Sequence, residues 1–193
     1  MFSSSDKSLI SLCKKKIYRT TSTKIELCLK VNNKTLTGVP VQICQFHKGS
    51  SSCINIDKNI NAKGNVKELT SVLILGGELY QYGIFHIRSL LTGEYLCTDK
   101  IGKISMEKQY NFTDCTFKTE ESPLKRRFQH KYKNFKVSPG SGIFRFYNAN
   151  TKISLNFNKL GLPSTIKRKH LFHKAHLFHV RHISLTDLKS MNR

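Results

Sequence analysis

The sequence predicts an all-β fold on three grounds: short apolar segments, turn residues between them, and an internal repeat. Residues 83–117 show the first two most clearly. Ile84, Phe85 and Ile87 form one apolar segment, and residues 95–98 form the next. Gly93 stands in the turn between them, where the missing side chain permits positive φ. Strands of about four or five residues joined by such turns are typical of a small all-β domain.

The internal repeat predicts how these strands are arranged. Residues 96–102 (LCTDKIG) are echoed 59 positions later by residues 155–161 (LNFNKLG), and residues 25–36 are a looser third copy. Three units, each too small to bury its own apolar face, predict a β-trefoil of twelve short strands in three pseudo-repeats. Residues 39–65 and 121–146 fit no copy and are rich in turn formers, so we expect two long surface insertions there.

The order of elements along the chain suggests one domain between two tails. Residues 1–15 are rich in Ser and Lys and are predicted to be a disordered tail. Apolar residues alternate with less apolar ones over 25–31, which predicts a half-buried strand, and residues 68–75 resume the pattern. The domain is expected to span residues 16–183, and residues 184–193 to form a flexible C-terminal tail.

Charge is the strongest compositional signal. Lys and Arg number 33 against 12 Asp and Glu, which gives a formal net charge of +21 at pH 7. So many like charges repel one another in the folded chain, which indicates a polyanionic partner that neutralises them. Composition alone favours nucleic acid over an anionic glycan or an acidic membrane as that partner. The sequence contains no run of eighteen apolar residues, so no membrane span is predicted. No paired carboxylates, nucleophile elbow or phosphate-binding glycine loop is present, so neither an enzyme nor a cofactor is expected.

The six cysteines show neither metal-ligand spacing nor a regular disulfide framework. Cys97 and Cys115 lie in apolar, strand-like settings and are predicted to be buried thiols. Cys44 and Cys53 bracket a loop rich in Gly and Ser, and they could form a bridge if the chain is secreted.

Histidines recur at every third position near the C-terminus. On a helix they would share a face and could bind a metal, whereas on a strand they would alternate between faces. The strand is favoured because a family resemblance, carried by the motifs given below, implies one at residues 175–180. No metal site is therefore predicted, and a charge gain below about pH 6.5 that helps anion binding is the alternative. The residues concerned are His170, His173, His176, His179 and His182.

Residues 83–87 (GIFHI), 92–96 (TGEYL), 99–104 (DKIGKI) and 114–117 (DCTF) together resemble the central signature of fibroblast growth factors. The resemblance covers roughly residues 67–120 and 152–180. It implies a β-trefoil growth factor rather than an enzyme. The defining positions of the signature are filled by Gly102, Ile104, Asp114, Cys115 and Phe117.

Residues 158–175 resemble the loop by which this family binds heparan sulfate. Several cations confined to one loop create a local potential that scattered charges would not, and an arginine fork can bind a sulfate directly. The alternative is a solvated basic loop without a specific ligand. The resemblance implies sulfate contacts from Lys159, Lys167, Arg168, Lys169 and Lys174.

The resemblance also implies a face that binds a fibroblast growth factor receptor-like tyrosine kinase. Tyr18 matches an aromatic position on the first strand, and Phe128 or Tyr132 matches an aromatic region after the Cys-x-Phe motif. Tyr18 could equally be a core residue. The expected protein is therefore a ligand that binds heparan sulfate and activates this receptor. The alternatives are an intracellular fibroblast growth factor homologous factor that binds cytoplasmic targets, and a basic nucleic-acid-binding protein.

The sequence suggests an extracellular location by an unusual route. The apolar part of residues 1–16 is about five residues long, which is too short for the core of a cleaved signal peptide. Export is therefore expected to be unconventional or uncleaved, and the cytoplasm or nucleus stays open. Asn33 and Asn111 each begin an Asn-x-Thr glycosylation sequon, which matters only if the chain is secreted.

Overall fold

The computed structural model describes residues 10–12, 27–31, 34–46, 52–56, 59–77, 83–121, 143–165 and 177–191. Antiparallel strands dominate these ranges, with two short helices and a single 3-10 turn at Leu69–Ser71. The strands are β1 (Ile10–Leu12), β2 (Leu27–Val31), β3 (Lys34–Gln45), β4 (Cys53–Ile56), β5 (Ile60–Gly64), β6 (Leu73–Gly76), β7 (Ile84–Ser89), β8 (Tyr95–Thr98), β9 (Ile104–Glu107), β10 (Phe117–Glu121), β11 (Ile143–Asn148) and β12 (Phe178–His182). The helices are α1 (Phe112–Cys115) and α2 (Leu185–Met191).

The long strand β3 pairs with four other strands of the sheet. The main strand order is β1-β2-β3-β12-β11-β10-β7-β8-β9, while β4 pairs with β3 and β5, and β6 pairs with β3 and β7. Thus β3 pairs with β2, β6, β4 and β12 along its length. The all-β prediction is confirmed. The threefold trefoil arrangement stays a prediction.

An aromatic core lies between these strands. Phe146 makes edge-to-face contacts with Phe85 and Phe178, with ring centroids 6.0 and 5.9 Å apart. Leu96 and Leu155, which the repeat places at equivalent positions, are both fully buried in the same core. Burying each such side chain is worth about 1.5–3 kcal/mol.

The described strands of residues 39–65 contribute to this core, so the predicted surface insertion there is wrong. Val41 and Ile43 of β3, and Ile54 of β4, have no exposed surface, and Ala62 of β5 is also buried. The overall composition of the segment does not reveal these inward-facing apolar residues. The second predicted insertion, 121–146, begins in β10 and ends in β11, and residues 122–142 lie outside the described ranges.

A second apolar cluster joins the two ends of the described chain. Leu29 of β2 and Leu36 of β3 pack with Ile74, Ile183 and Leu188 of α2. Residues 184–193 were predicted to be a flexible tail. Instead they contain α2, and its buried Leu188 anchors the helix to the sheet.

A reciprocal cap begins α2. The Ser184 hydroxyl accepts a hydrogen bond from the Asp187 amide at 3.1 Å, and the Asp187 carboxylate accepts one from the Ser184 amide at 3.1 Å. Such a cap satisfies two amides that the first helical turn would otherwise leave unpaired. The side-chain and backbone hydrogen bonds from Ser184 hold the pKa of Asp187 below its usual value.

Candidate functional site

The turn that carries Lys159 is firmly built. The Asn158 side-chain oxygen accepts hydrogen bonds from the amides of Leu160 and Leu162 at 2.9 and 3.0 Å. Gly161 has a φ of +73°, and its carbonyl accepts the Ala62 amide at 2.7 Å. The turn is therefore fixed against β5, with Lys159 exposed to solvent.

Lysines from two other elements border the same region. The exposed Lys63 of β5 runs alongside Gly161, because a Cβ added at Gly161 would lie 2.9 Å from its Cγ. The turn that holds the exposed Lys100 and Lys103 also approaches, since a Cβ at Gly102 would lie 3.3 Å from Thr165. Thr165 is the last described residue of the basic loop, because residues 166–176 lie outside the described ranges. The sequence reasoning missed Lys63 because it assigned β5 to an insertion.

The remaining predicted site residues cannot be placed in the same way. Among the predicted sulfate contacts, Lys159 lies in the described residues. The other positions lie outside the described ranges, and their roles stay predictions: Lys167, Arg168, Lys169 and Lys174 for heparan sulfate, and Tyr18, Phe128 and Tyr132 for the receptor.

An aromatic cavity of about 340 Å³ opens beside β7, β8 and α1. The ring of His86 lies 5.2 Å from that of Tyr95 and 5.7 Å from that of Tyr110. Phe112 and Tyr110, which also line it, are 56% and 44% exposed. Sequence reasoning missed this cavity, since its residues are spread over three elements and the segments that connect them.

The half-buried His86 is held neutral at physiological pH. Burial, and then repulsion from Arg88, lower the pKa of His86 to about 4. The Arg88 guanidinium lies 4.8 Å from the centre of the Tyr95 ring, whose electron-rich face attracts the cation. The cavity wall is consequently aromatic and uncharged at His86.

Disulfides cross-link the described strands. Cys44 of β3 is bonded to Cys53 of β4, which confirms the bridge that the sequence allowed. Cys97 of β8 is bonded to Cys115 of α1, so the prediction of free thiols at these positions is wrong, although both side chains are buried. Packing of α1 onto β8 places the Cα atoms of the two cysteines 4.0 Å apart, although 18 residues separate them in the sequence. Cys28 is also disulfide-bonded.

The described histidines of the C-terminal series lie on a strand, as predicted. His179 and His182 belong to β12, three positions apart, so they lie on opposite faces. Burial, and then Arg181, lower the pKa of His179, which argues against a charge gain there near pH 6.5. His170, His173 and His176 lie outside the described residues. No group of three metal-ligating side chains forms a cluster in the described part of the chain.

These features define a disulfide-bonded, antiparallel β-domain with an aromatic core and exposed cationic turns. Within the described ranges, the helices are too short to cross a membrane. The Fibroblast growth factor family model matches residues 43–179, and the chain belongs to that family. The family consists of non-enzymatic growth factors, so the protein is not an enzyme. No curated protein matches the chain.

The family match begins inside β3 and includes β4 and β5. This agrees with the burial of apolar residues from all three strands. The strands β1 and β2 and the helix α2 lie beyond the matched residues.

Proposed function

We propose that this protein is a secreted fibroblast growth factor-type ligand that binds heparan sulfate and activates a receptor tyrosine kinase. The observation that carries the proposal is the pair of disulfides, Cys44–Cys53 and Cys97–Cys115. Cytosolic thiols are kept reduced, whereas disulfides form and persist in secreted proteins. The cross-links therefore favour a secreted ligand over an intracellular homologous factor.

Heparan sulfate is the proposed polyanion. The net charge of +21 favours a polyanionic partner, and family members typically bind heparan sulfate. The hydrogen-bonded turn that carries the exposed Lys159 supports a proposed contact surface, which we expect to include Lys167, Arg168, Lys169 and Lys174 as well. Lys63 borders the turn and extends this surface. Each cation that contacts a sulfate releases counterions, so the affinity depends strongly on salt.

The mechanism follows from charge and concentration. Heparan sulfate would neutralise the basic surface and hold the ligand near the cell membrane, which raises its effective concentration at the receptor. The receptor would meet a separate face that contains Tyr18, with Phe128 or Tyr132. Two receptors could then assemble around the ligand and the shared polysaccharide.

The β-trefoil belongs to the same proposal. Its support is the family membership, the antiparallel pairing, and the equivalent burial of Leu96 and Leu155. The proposed domain extends past both expected boundaries, residues 16 and 183. On one side β1, which lies in the expected disordered tail, pairs with β2, and on the other Leu188 of α2 is buried.

The test applies the purified, oxidised full chain to receptor-expressing cells that lack heparan sulfate. We expect receptor phosphorylation only when soluble heparin is added. Absence of receptor binding, together with capture of a cytoplasmic target from reducing lysate, would support an intracellular homologous factor instead. Preferential displacement from heparin by DNA at equal salt would support the nucleic-acid alternative.

A further inference from the structure

Asn111 lies at the surface in a sequon that the growth-factor function does not use. Asn111, Phe112 and Thr113 are all exposed. The Asn111 side-chain oxygen accepts the Thr113 amide at 2.9 Å. Its Nδ2 has no hydrogen-bond partner in the described part of the chain, so it can be modified without breaking a contact there.

The backbone of this sequon is held in place from the opposite side. The side-chain amides of Asn148 and Asn150 donate to the Thr113 carbonyl at 2.8 and 3.1 Å. Asn148 is completely buried, so it ties the sequon to the interior of the domain. The residues on the outside of the segment therefore stay accessible in the folded protein.

Two large aromatic side chains flank Asn111. Phe112 is 56% exposed and Tyr110 is 44% exposed. Both side chains line the aromatic cavity beside β7 and β8, so they belong to one aromatic surface. The C–H face of a sugar attached at Asn111 would be in position to cover part of this aromatic surface.

We propose that Asn111 carries an N-linked glycan. The donor is a lipid-pyrophosphate-linked oligosaccharide. The Nδ2 atom loses a proton and bonds to C1 of the first sugar, while the bond from C1 to the pyrophosphate oxygen breaks and the lipid pyrophosphate leaves. This inference rests on the secreted ligand of the proposed function, exported with an uncleaved leader through the secretory pathway, because the donor is encountered there. The disulfides of the described residues agree with that route.

The test expresses the full chain behind a cleavable leader in cultured animal cells, with Asn33→Gln as the background to remove the second sequon. Both the lysate and the medium are treated with peptide N-glycosidase. We expect a mobility shift and conversion of Asn111 to Asp in the released peptide.

Matched variants separate the glycan from the structural role of the segment. N111D keeps an oxygen that can accept the Thr113 amide but removes the sequon, and T113A also removes the sequon. T113S keeps it. We expect the glycosidase-sensitive shift to be lost in the first two variants and retained in T113S. An unmodified Asn111 in both fractions, or a shift that persists in N111D, would overturn the proposal. Receptor phosphorylation is measured on the same preparations, so active but unglycosylated protein would refute the glycan alone.

Discussion

Asp99 and Asn158 make the same turn at positions 59 residues apart. The Asp99 carboxylate accepts amides from two and four residues ahead at 2.9 and 2.8 Å, and the Asn158 amide oxygen does so at 2.9 and 3.0 Å. The glycine three residues after each has positive φ, 89° at Gly102 and 73° at Gly161. The sequence repeat is therefore also a repeat of backbone geometry.

Replacing Gly161 by alanine should destabilise the protein more than replacing Gly83. Both glycines have a φ near +72°, so both substitutions strain the backbone. At Gly161 the new Cβ would also lie 2.9 Å from the Ala62 carbonyl oxygen, whereas no atom of the described residues lies within 4 Å at Gly83. We expect a loss of about 1 kcal/mol for G83A and a larger loss for G161A, measured by chemical denaturation with the disulfides intact. Equal losses would show that the turn can move away from β5.

Ile54→Ala should destabilise the domain by about 2–5 kcal/mol, because it opens a cavity in the core. Ile54 has no exposed surface, although it lies in a segment whose composition resembles a loop. The control is Leu160→Ala, since Leu160 is 68% exposed, and its effect should stay within about 0.5 kcal/mol. Free energies of unfolding from denaturant titration provide the comparison. A small effect of Ile54→Ala would instead indicate that Ile54 lies at the surface.

Neutralising Lys159 and Lys167 together to Gln should lower the salt concentration that elutes the protein from heparin, and it should also reduce the salt slope of binding. The control neutralises Lys30 of β2 and Lys189 of α2, both exposed and beyond the residues matched by the family. This control removes the same charge and should have much less effect. If both pairs weaken binding equally, net charge rather than a defined surface drives it.

Stability should fall as the pH drops from 6.5 toward 4, because of His86. The folded state lowers the pKa of His86 from 6.5 to about 4, so the unfolded chain binds more protons between these values. The contribution of His86 to the free energy of unfolding is fully present above pH 6.5. About 1–2 kcal/mol of it should be lost between pH 7 and 5. Denaturant midpoints across this range measure the loss.

The control for this pH dependence is His86→Gln, which removes the titrating group from the cavity. Its stability should fall less steeply over the same range. Some slope should remain, because burial also lowers the pKa of His179. If stability depends on pH equally steeply in His86→Gln, a group other than His86 takes up the proton.

Local patterns in the sequence were enough to predict the strands and the repeated turn. Alternation at residues 84–87 and the glycines at 102 and 161 act within a few residues, so the sequence displays them directly. The Cys97–Cys115 bridge could not be predicted, because it depends on α1 packing against β8. The inward direction of Ile54 likewise depends on pairing with β3.

The sequence did contain one signal for α2 that composition concealed. Ser184 and Asp187 have the spacing of a reciprocal helix cap, and the apolar Leu188 follows directly. The polar and basic residues around them suggested a tail instead. For the candidate site, the sequence predicted Lys159 as an exposed cation, whereas the approach of Lys63 required the tertiary contact of β5 with the 158–162 turn.

The family match starts at residue 43, and this point falls within β3. A chain shortened to residues 43–179 would lose both sides of the pairing that joins Val41 and Gln42 of β3 to His182 and Arg181 of β12. It would also uncover Ile74, which Leu29 and Leu36 shield in the second cluster. Both apolar clusters include residues of the uninterrupted strand β3. Local opening of the second cluster would therefore spread along β3 into the aromatic core. The amide hydrogens of both clusters should exchange with solvent as a single cooperative unit.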